Sequence, residues 1–173
     1  MSPRSAAAKK ARRPDISPAA VEAREAAYLV GTYARAPFHP RRGAGAAIVD
    51  AHGRWYWDLF AGIAVNALGH GHPALAKAFR AGARELWHVS NLYYHPAQGL
   101  LAERLVKAAG MSRAFFCNSG TEAIEASIKF ARLRSPGRAQ IVALEESFHG
   151  RTVGALSLTG HEAYRAPFLP LMP

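Results

Sequence analysis

Two short stretches of the sequence hold residues whose types and spacing could do chemistry. The first is Cys117-Asn118-Ser119-Gly120-Thr121-Glu122, which joins an apolar run to an amphipathic segment. Ser119 and Glu122 stand three apart, the spacing of a capping box that opens a helix. Gly120 lets a ligand come close to the backbone, and the orphan N–H groups of a first turn, at the positive end of the helix dipole, form an anion site. Thr121 adds a hydroxyl donor. On these residues alone, a phosphate site and a plain helix cap are equally good accounts. The second stretch is Glu146-Ser147-Phe148-His149-Gly150-Arg151-Thr152. Phe148 can stack on a flat ring, and Arg151 can grip a carboxylate through two parallel hydrogen bonds, which lysine cannot match. Taken singly, each also reads as a core phenylalanine or a surface arginine.

The elements that must position these residues follow from apolar periodicity and from Pro and Gly. Ser17-Pro18 predicts a helix start, with the pattern running to about Tyr33. Arg41 to Gly45 reads as a basic turn, and Ala46–Asp50 and Arg54–Phe60 as a β-hairpin. Helices are predicted over Ala74–Trp87 and from Pro96 to a stop at Gly110. Two buried strands, Ala114–Cys117 and Gln140–Leu144, flank a helix from about Gly120 to Leu133, and a further helix is expected near Thr152. Strand, helix, strand in that order predicts an α/β fold with a parallel, helix-covered sheet and a packed core. In such a sheet the loops after neighbouring strands converge on one crevice, so the two chemical stretches should face each other.

Composition narrows the function classes. The 173 residues carry a net charge of +10, but Arg4, Lys9, Lys10, Arg12 and Arg13 all precede the first acid, Asp15. That basic stretch, residues 1–16, is expected to be a solvated, disordered tail, and its removal leaves about half the excess. The remaining cations are dispersed, with no nucleic-acid-binding signature, so no nucleic-acid partner is expected. No apolar run approaches the ~18 residues that span a bilayer, so no membrane partner is expected either. The single cysteine, Cys117, fits a reducing, cytoplasmic setting. His70 and His72 lie two apart with no further ligand cluster, so no metal site is expected. Trp55, Tyr56 and Trp57 read as packing residues, Cys117 as a packed thiol, and Asn91, Tyr93 and Tyr94 as a loop between helices or part of a dimer seam.

Five segments, in order, resemble class III aminotransferases of the acetylornithine/ornithine type. They are Thr32-Tyr33-Ala-Arg35-Ala-Pro37, Gly62-Ile-Ala-Val-Asn66-Ala-Leu-Gly69-His70-Gly71-His72-Pro73, His88-Val-Ser90-Asn91-Leu-Tyr93, Phe116-Cys-Asn118-Ser119-Gly120-Thr121-Glu122-Ala123 and Ser147-Phe-His149-Gly150-Arg151-Thr152. Agreement by chance over five ordered motifs is improbable. The resemblance implies a fold-type-I enzyme that uses pyridoxal 5′-phosphate to move an amino group between an amino acid and a 2-oxo acid. It implies that the Gly120 and Thr121 backbone binds the cofactor phosphate, that Phe148 stacks on the pyridine ring and that Arg151 holds the substrate α-carboxylate. Tyr33 would lie near that carboxylate, with Ser119 and His149 as further cofactor-site residues. It also implies a homodimer and, for this branch, an N-acetylornithine-type donor with 2-oxoglutarate as acceptor in arginine biosynthesis. Other donors of the family are ornithine, succinyl-diaminopimelate and 4-aminobutyrate.

On this likeness residues 17–72 would belong to the small domain and 73–173 would begin the large cofactor-binding domain. The family also requires a lysine that bonds the cofactor, and none of Lys9, Lys10, Lys77, Lys107 or Lys129 suits that role. Lys129 would lie roughly 15 Å along its helix from the phosphate end. The chain therefore reads as the amino-terminal part of a longer enzyme, inactive by itself, with a non-catalytic remnant as the competing account.

Overall fold

The computed structural model describes residues 13–138 and 140–172. The basic stretch expected to be a tail lies, through Arg12, outside those residues. Contacts divide the chain between His88 and Val89 into two units, each described by itself.

The first unit opens with α1, Pro18–Tyr28, where Pro18 occupies the first turn and the Ser17 hydroxyl accepts the Ala20 N–H. The helix stops about a turn earlier than its apolar pattern suggests. Leu29 is extended, and the Thr32 N–H bonds the Val30 carbonyl, so the chain reverses tightly at Gly31. Arg35 then pairs with Glu25 at 3.1 Å and His39 with Glu22 at 2.9 Å, which ties residues 35–39 back to α1.

A three-stranded antiparallel sheet follows, in the order β1 (Pro40–Ala44), β2 (Ala47–Asp50), β3 (Trp55–Trp57). The hairpin read from the sequence is present, with Ile48 opposite Tyr56 and Val49 opposite Trp55. The basic turn of Arg41–Gly45 is instead the strand β1, which pairs Gly43 with Ile48 and Ala44 with Ala47. Asp50 locks the β2–β3 turn. It is 4% exposed, and its carboxylate accepts the N–H of His52, the N–H and Nε–H of Arg54 and the Tyr56 hydroxyl. Burial alone would raise its pKa; the Arg54 and His52 donors and the Tyr56 hydroxyl override that and hold it down to about 2.

The turn carrying His70 docks just past β1 through paired backbone bonds between Gly45 and His70. A side chain at position 43 would meet the His70 ring at 2.5 Å, so glycine there admits the imidazole. His70 Nε2 lies 2.7 Å from Asp58, which makes it a turn-fixing histidine. Helix α2, Pro73–Gly82, ends well short of Trp87, at a glycine whose helix propensity is about 1 kcal/mol poorer than alanine's.

The second unit contains α3 (Pro96–Ala109), α4 (Gly120–Arg134), α5 (Val153–Leu158) and α6 (Glu162–Arg165). Proline opens α3 and Gly110, with φ 65°, closes it in the left-handed region, both as the sequence indicates. Segments 114–117 and 140–144 carry no ladder pairing among the described residues. An apolar run becomes a strand only when a neighbour accepts its backbone bonds, and neither segment has one here. Cys117 is accordingly exposed, contrary to the packed thiol expected. Its sulfur donates to the Ser119 carbonyl at 3.3 Å.

The expected packed core is also corrected. Among the described residues the buried hydrophobic ones are Ile128, Ala155 and Leu156, all in α4 and α5, while α1, α2 and α3 bury no residue. Trp55 and Trp57 pack edge-to-face on each other, yet both stay exposed. Among the described residues no helix is long and apolar enough to cross a membrane.

Candidate functional site

Both chemical stretches lie in the second unit, and the structure brings them together at α4 and α5. The start of α4 is a capping box with one change. Ser119 is the N-cap, and its hydroxyl accepts the Glu122 N–H at 3.3 Å. The Glu122 carboxylate reaches one residue further back than usual, accepting the Asn118 N–H at 2.8 Å and the Ser119 hydroxyl at 3.0 Å. The Asn118 side-chain amide and then the Ser119 hydroxyl hold the Glu122 pKa below the usual carboxylate value. The Ser119 carbonyl takes the Ala123 N–H. That leaves the N–H groups of Gly120 and Thr121 as the first-turn donors pointing out of a 15-residue helix. An anion such as a phosphate ester fits that donor pair.

The second stretch is pinned by residues that follow it. Glu146, with φ 57°, turns the chain in the left-handed region, a conformation that costs a non-glycine residue roughly 1 kcal/mol or more. The Ser147 hydroxyl donates to the Leu144 carbonyl at 2.6 Å, and the Gly160 N–H donates to the Ser147 carbonyl at 2.9 Å. Thr159, fully buried, accepts the His149 N–H at 3.1 Å and donates to the Ala155 carbonyl at 3.3 Å. Phe148 is 59% exposed and meets Tyr164 edge-on at 6.2 Å, so ring surface remains open to a ligand. Arg151 is exposed.

The two stretches touch at Thr121 and Gly150. A Cβ at position 150 would lie 2.1 Å from Thr121 Oγ1 and 2.6 Å from Thr121 Cβ, and φ there is 135°. Only glycine permits this approach. Beside it, Thr121 Oγ1 and Thr152 Oγ1 are 3.1 Å apart, and the Thr152 hydroxyl donates to Glu125.

Of the residues singled out in sequence, Ser119, Gly120, Thr121, Phe148, His149 and Arg151 therefore share one region of the second unit. Tyr33 lies in the first unit, exposed, just past the reversal at Gly31. Glu125 and Thr159 were not singled out, yet they carry the bonds that set the loops. The available signal for Glu125 was its place one turn after Thr121, on the same face of α4. Among the described residues no cluster of His, Cys, Asp and Glu could hold a metal ion.

Known proteins resemble this chain in sequence and in fold. The model of the family Aminotransferase class-III matches residues 31–173. The acetylornithine aminotransferase of Methanosarcina acetivorans is 50% identical over 147 residues, covering 85% of this chain and 37% of that protein. That of Archaeoglobus fulgidus is 47% identical over 149 residues, covering 86% and 40%. The ornithine aminotransferase of Toxoplasma gondii, a crystal structure with partial occupancy of PLP at its active site, superposes with a TM-score of 0.84 at 26% identity, covering 91% of this chain and 38% of that one. A thermostable omega transaminase mutant from Pseudomonas jessenii gives a TM-score of 0.77 at 30% identity, over 87% and 37%. The chain thus spans about two fifths of the length of the relatives it matches. Enzymes of the family depend on pyridoxal phosphate. The fold class read from the sequence stands, with its expected parallel strands unpaired in this segment. The chain belongs to the class III aminotransferase family.

Proposed function

We propose that the polypeptide carrying this segment is a pyridoxal-phosphate-dependent aminotransferase. It moves the amino group of an N-acetylornithine-type donor to 2-oxoglutarate in arginine biosynthesis, as a cytoplasmic homodimer. The observation that carries this reading is the contact of the Ser119–Glu122 turn with the Phe148–Thr152 loop, which brings the first-turn N–H donors of α4, the exposed Phe148 and Arg151 into one unit. In this reading residues 17–72 belong to the small domain and 73–173 begin the large one.

When bound, the cofactor supplies the electron sink for breaking bonds at the substrate α-carbon. The chain's own residues bind and orient. The N–H groups of Gly120 and Thr121 hold the phosphate, beside Ser119. Phe148 would stack on the pyridine ring, and the bond from the His149 N–H to the Thr159 hydroxyl holds the loop that carries it. Arg151 takes the substrate α-carboxylate as a two-pronged donor. By the family likeness Tyr33 is assigned to the same carboxylate. The bonding lysine is assigned to another part of the polypeptide. Lys129 sits nine residues past Gly120 in α4, about 14 Å along the axis.

The donor assignment is tested by supplying the complete polypeptide, with pyridoxal phosphate, with N-acetylornithine, ornithine or 4-aminobutyrate plus 2-oxoglutarate and measuring glutamate formation. The kcat/KM for N-acetylornithine should exceed the others by at least ~tenfold, the scale on which a fitted side-chain pocket discriminates. Equal or greater turnover of ornithine would replace the donor, and no glutamate with any donor would remove the function.

A further inference from the structure

One row of hydrogen bonds joins residues up to 34 positions apart and decides which donors the α4 turn can offer. Thr121 Oγ1 lies 3.1 Å from Thr152 Oγ1, the Thr152 hydroxyl donates to Glu125 Oε1, and the same oxygen accepts the Ala155 N–H at 3.1 Å. An ionised carboxylate only accepts, and a threonine hydroxyl has a single proton. Thr152 has given its proton to Glu125, so the proton between the two threonines comes from Thr121. The Thr121 hydroxyl therefore has none left for an anion. Ser119 is in the same state, because its proton goes to Glu122 at 3.0 Å. With both protons directed inward, what the turn presents outward is the N–H pair of Gly120 and Thr121.

Glu125 also spans the two loops. It leaves α4 one turn after Thr121 and ends in the first turn of α5. A Cβ at position 154 would lie 2.5 Å from the carboxylate, so Gly154 makes room for it. Its hydrogen bonds, first that from Thr152, hold its pKa below the usual carboxylate value, which keeps it an acceptor at neutral pH.

We propose that Glu125 is a positioning residue for the phosphate end of the cofactor site. By taking the Thr152 proton and the Ala155 N–H, it turns both threonine hydroxyls inward and fixes the Phe148–Arg151 loop against the α4 turn. What the α4 turn then offers the phosphate is its backbone N–H groups. This rests on the reading, made above, that the Gly120–Thr121 turn binds the cofactor phosphate.

The test uses the complete polypeptide titrated with pyridoxamine 5′-phosphate and with pyridoxamine, and reads the ratio of the two dissociation constants, together with the melting temperature. Glu125→Ala should lower the ratio about tenfold, the effect of a lost charge-assisted bond. Glu125→Gln, whose amide oxygen still accepts from Thr152 and Ala155, should keep it within about twofold of wild type. Thr152→Val, which removes the middle hydroxyl at nearly constant shape, should lower it roughly threefold and serves if Glu125→Ala fails to fold. An unchanged ratio in Glu125→Ala or Thr152→Val overturns the proposal, even if the melting temperature falls, because that pattern is a stability role only. Equal losses in Glu125→Ala and Glu125→Gln overturn it as well. A wild-type ratio near one removes the phosphate reading itself, and this proposal with it.

Discussion

Gly150→Ala is expected to weaken pyridoxal phosphate binding by the complete polypeptide about a hundredfold. Two independent costs add. At φ 135° an L-residue is strained by roughly 1–3 kcal/mol. The new methyl would also sit 2.1 Å from Thr121 Oγ1, 2.6 Å from Thr121 Cβ and 3.1 Å from Ala155 Cβ, so the two loops must part. Separation breaks the Thr121–Thr152 bond and tilts the N–H pair away from the phosphate. To bind, the variant must recover the close approach of the two loops, and a cost of recovery near ~3 kcal/mol corresponds to about a hundredfold in a dissociation constant. Fluorescence titration of the cofactor reads it directly. Wild-type affinity in Gly150→Ala would mean that the loops do not meet as described.

Arg151→Lys should act on substrate and leave the cofactor nearly untouched. The residue is exposed, and its neighbours are held by the close approach of Gly150 to Thr121 on one side and by the Thr152–Glu125 bond on the other, so lysine keeps the charge and changes the shape of the donor head. A planar fork replaced by a point charge loses one of two parallel bonds to a carboxylate, each charge-assisted and worth about 1.5–3 kcal/mol. The kcat/KM for amino donor and for 2-oxo acid should therefore fall about a hundredfold, with cofactor affinity within about threefold of wild type. Equal losses in substrate and cofactor terms would show that Arg151 supports the loop instead of gripping substrate.

How much of this was legible in the sequence depended on range. Helices α3 and α4 were read nearly to the residue, because Pro96, Gly110 and Ser119 are local signals whose effect does not depend on distant contacts. Helices α1 and α2 were read too long, since apolar spacing continues past Tyr28 and past Gly82 although the backbone turns away. Strand β1 was missed because Arg41, Arg42, Gly43 and Ala44 show no apolar alternation; what makes them a strand is the pairing offered by β2. The reverse holds for 114–117 and 140–144, where the alphabet of a buried strand is present and, among the described residues, no partner strand is.

The same contrast runs through the site. Ser119–Glu122 and Phe148–Thr152 announce themselves by local motifs. Glu125 reads as an ordinary surface glutamate on a helix and Thr159 as a loop residue. Their roles come from bonds to Thr152, Ala155 and His149, partners ten to thirty positions away that no local spacing encodes. Direction was also hidden. Thr121 has the residue type of a phosphate donor, but the chain of acceptors behind it turns its proton inward.

The most direct test of the account is a crystal structure of the complete polypeptide with pyridoxal phosphate bound. The geometry predicts phosphate oxygens at about 3 Å from the backbone nitrogens of Gly120 and Thr121, the ordinary N–H···O distance, with the Phe148 ring on the pyridine. A phosphate bound away from the first turn of α4 would contradict it.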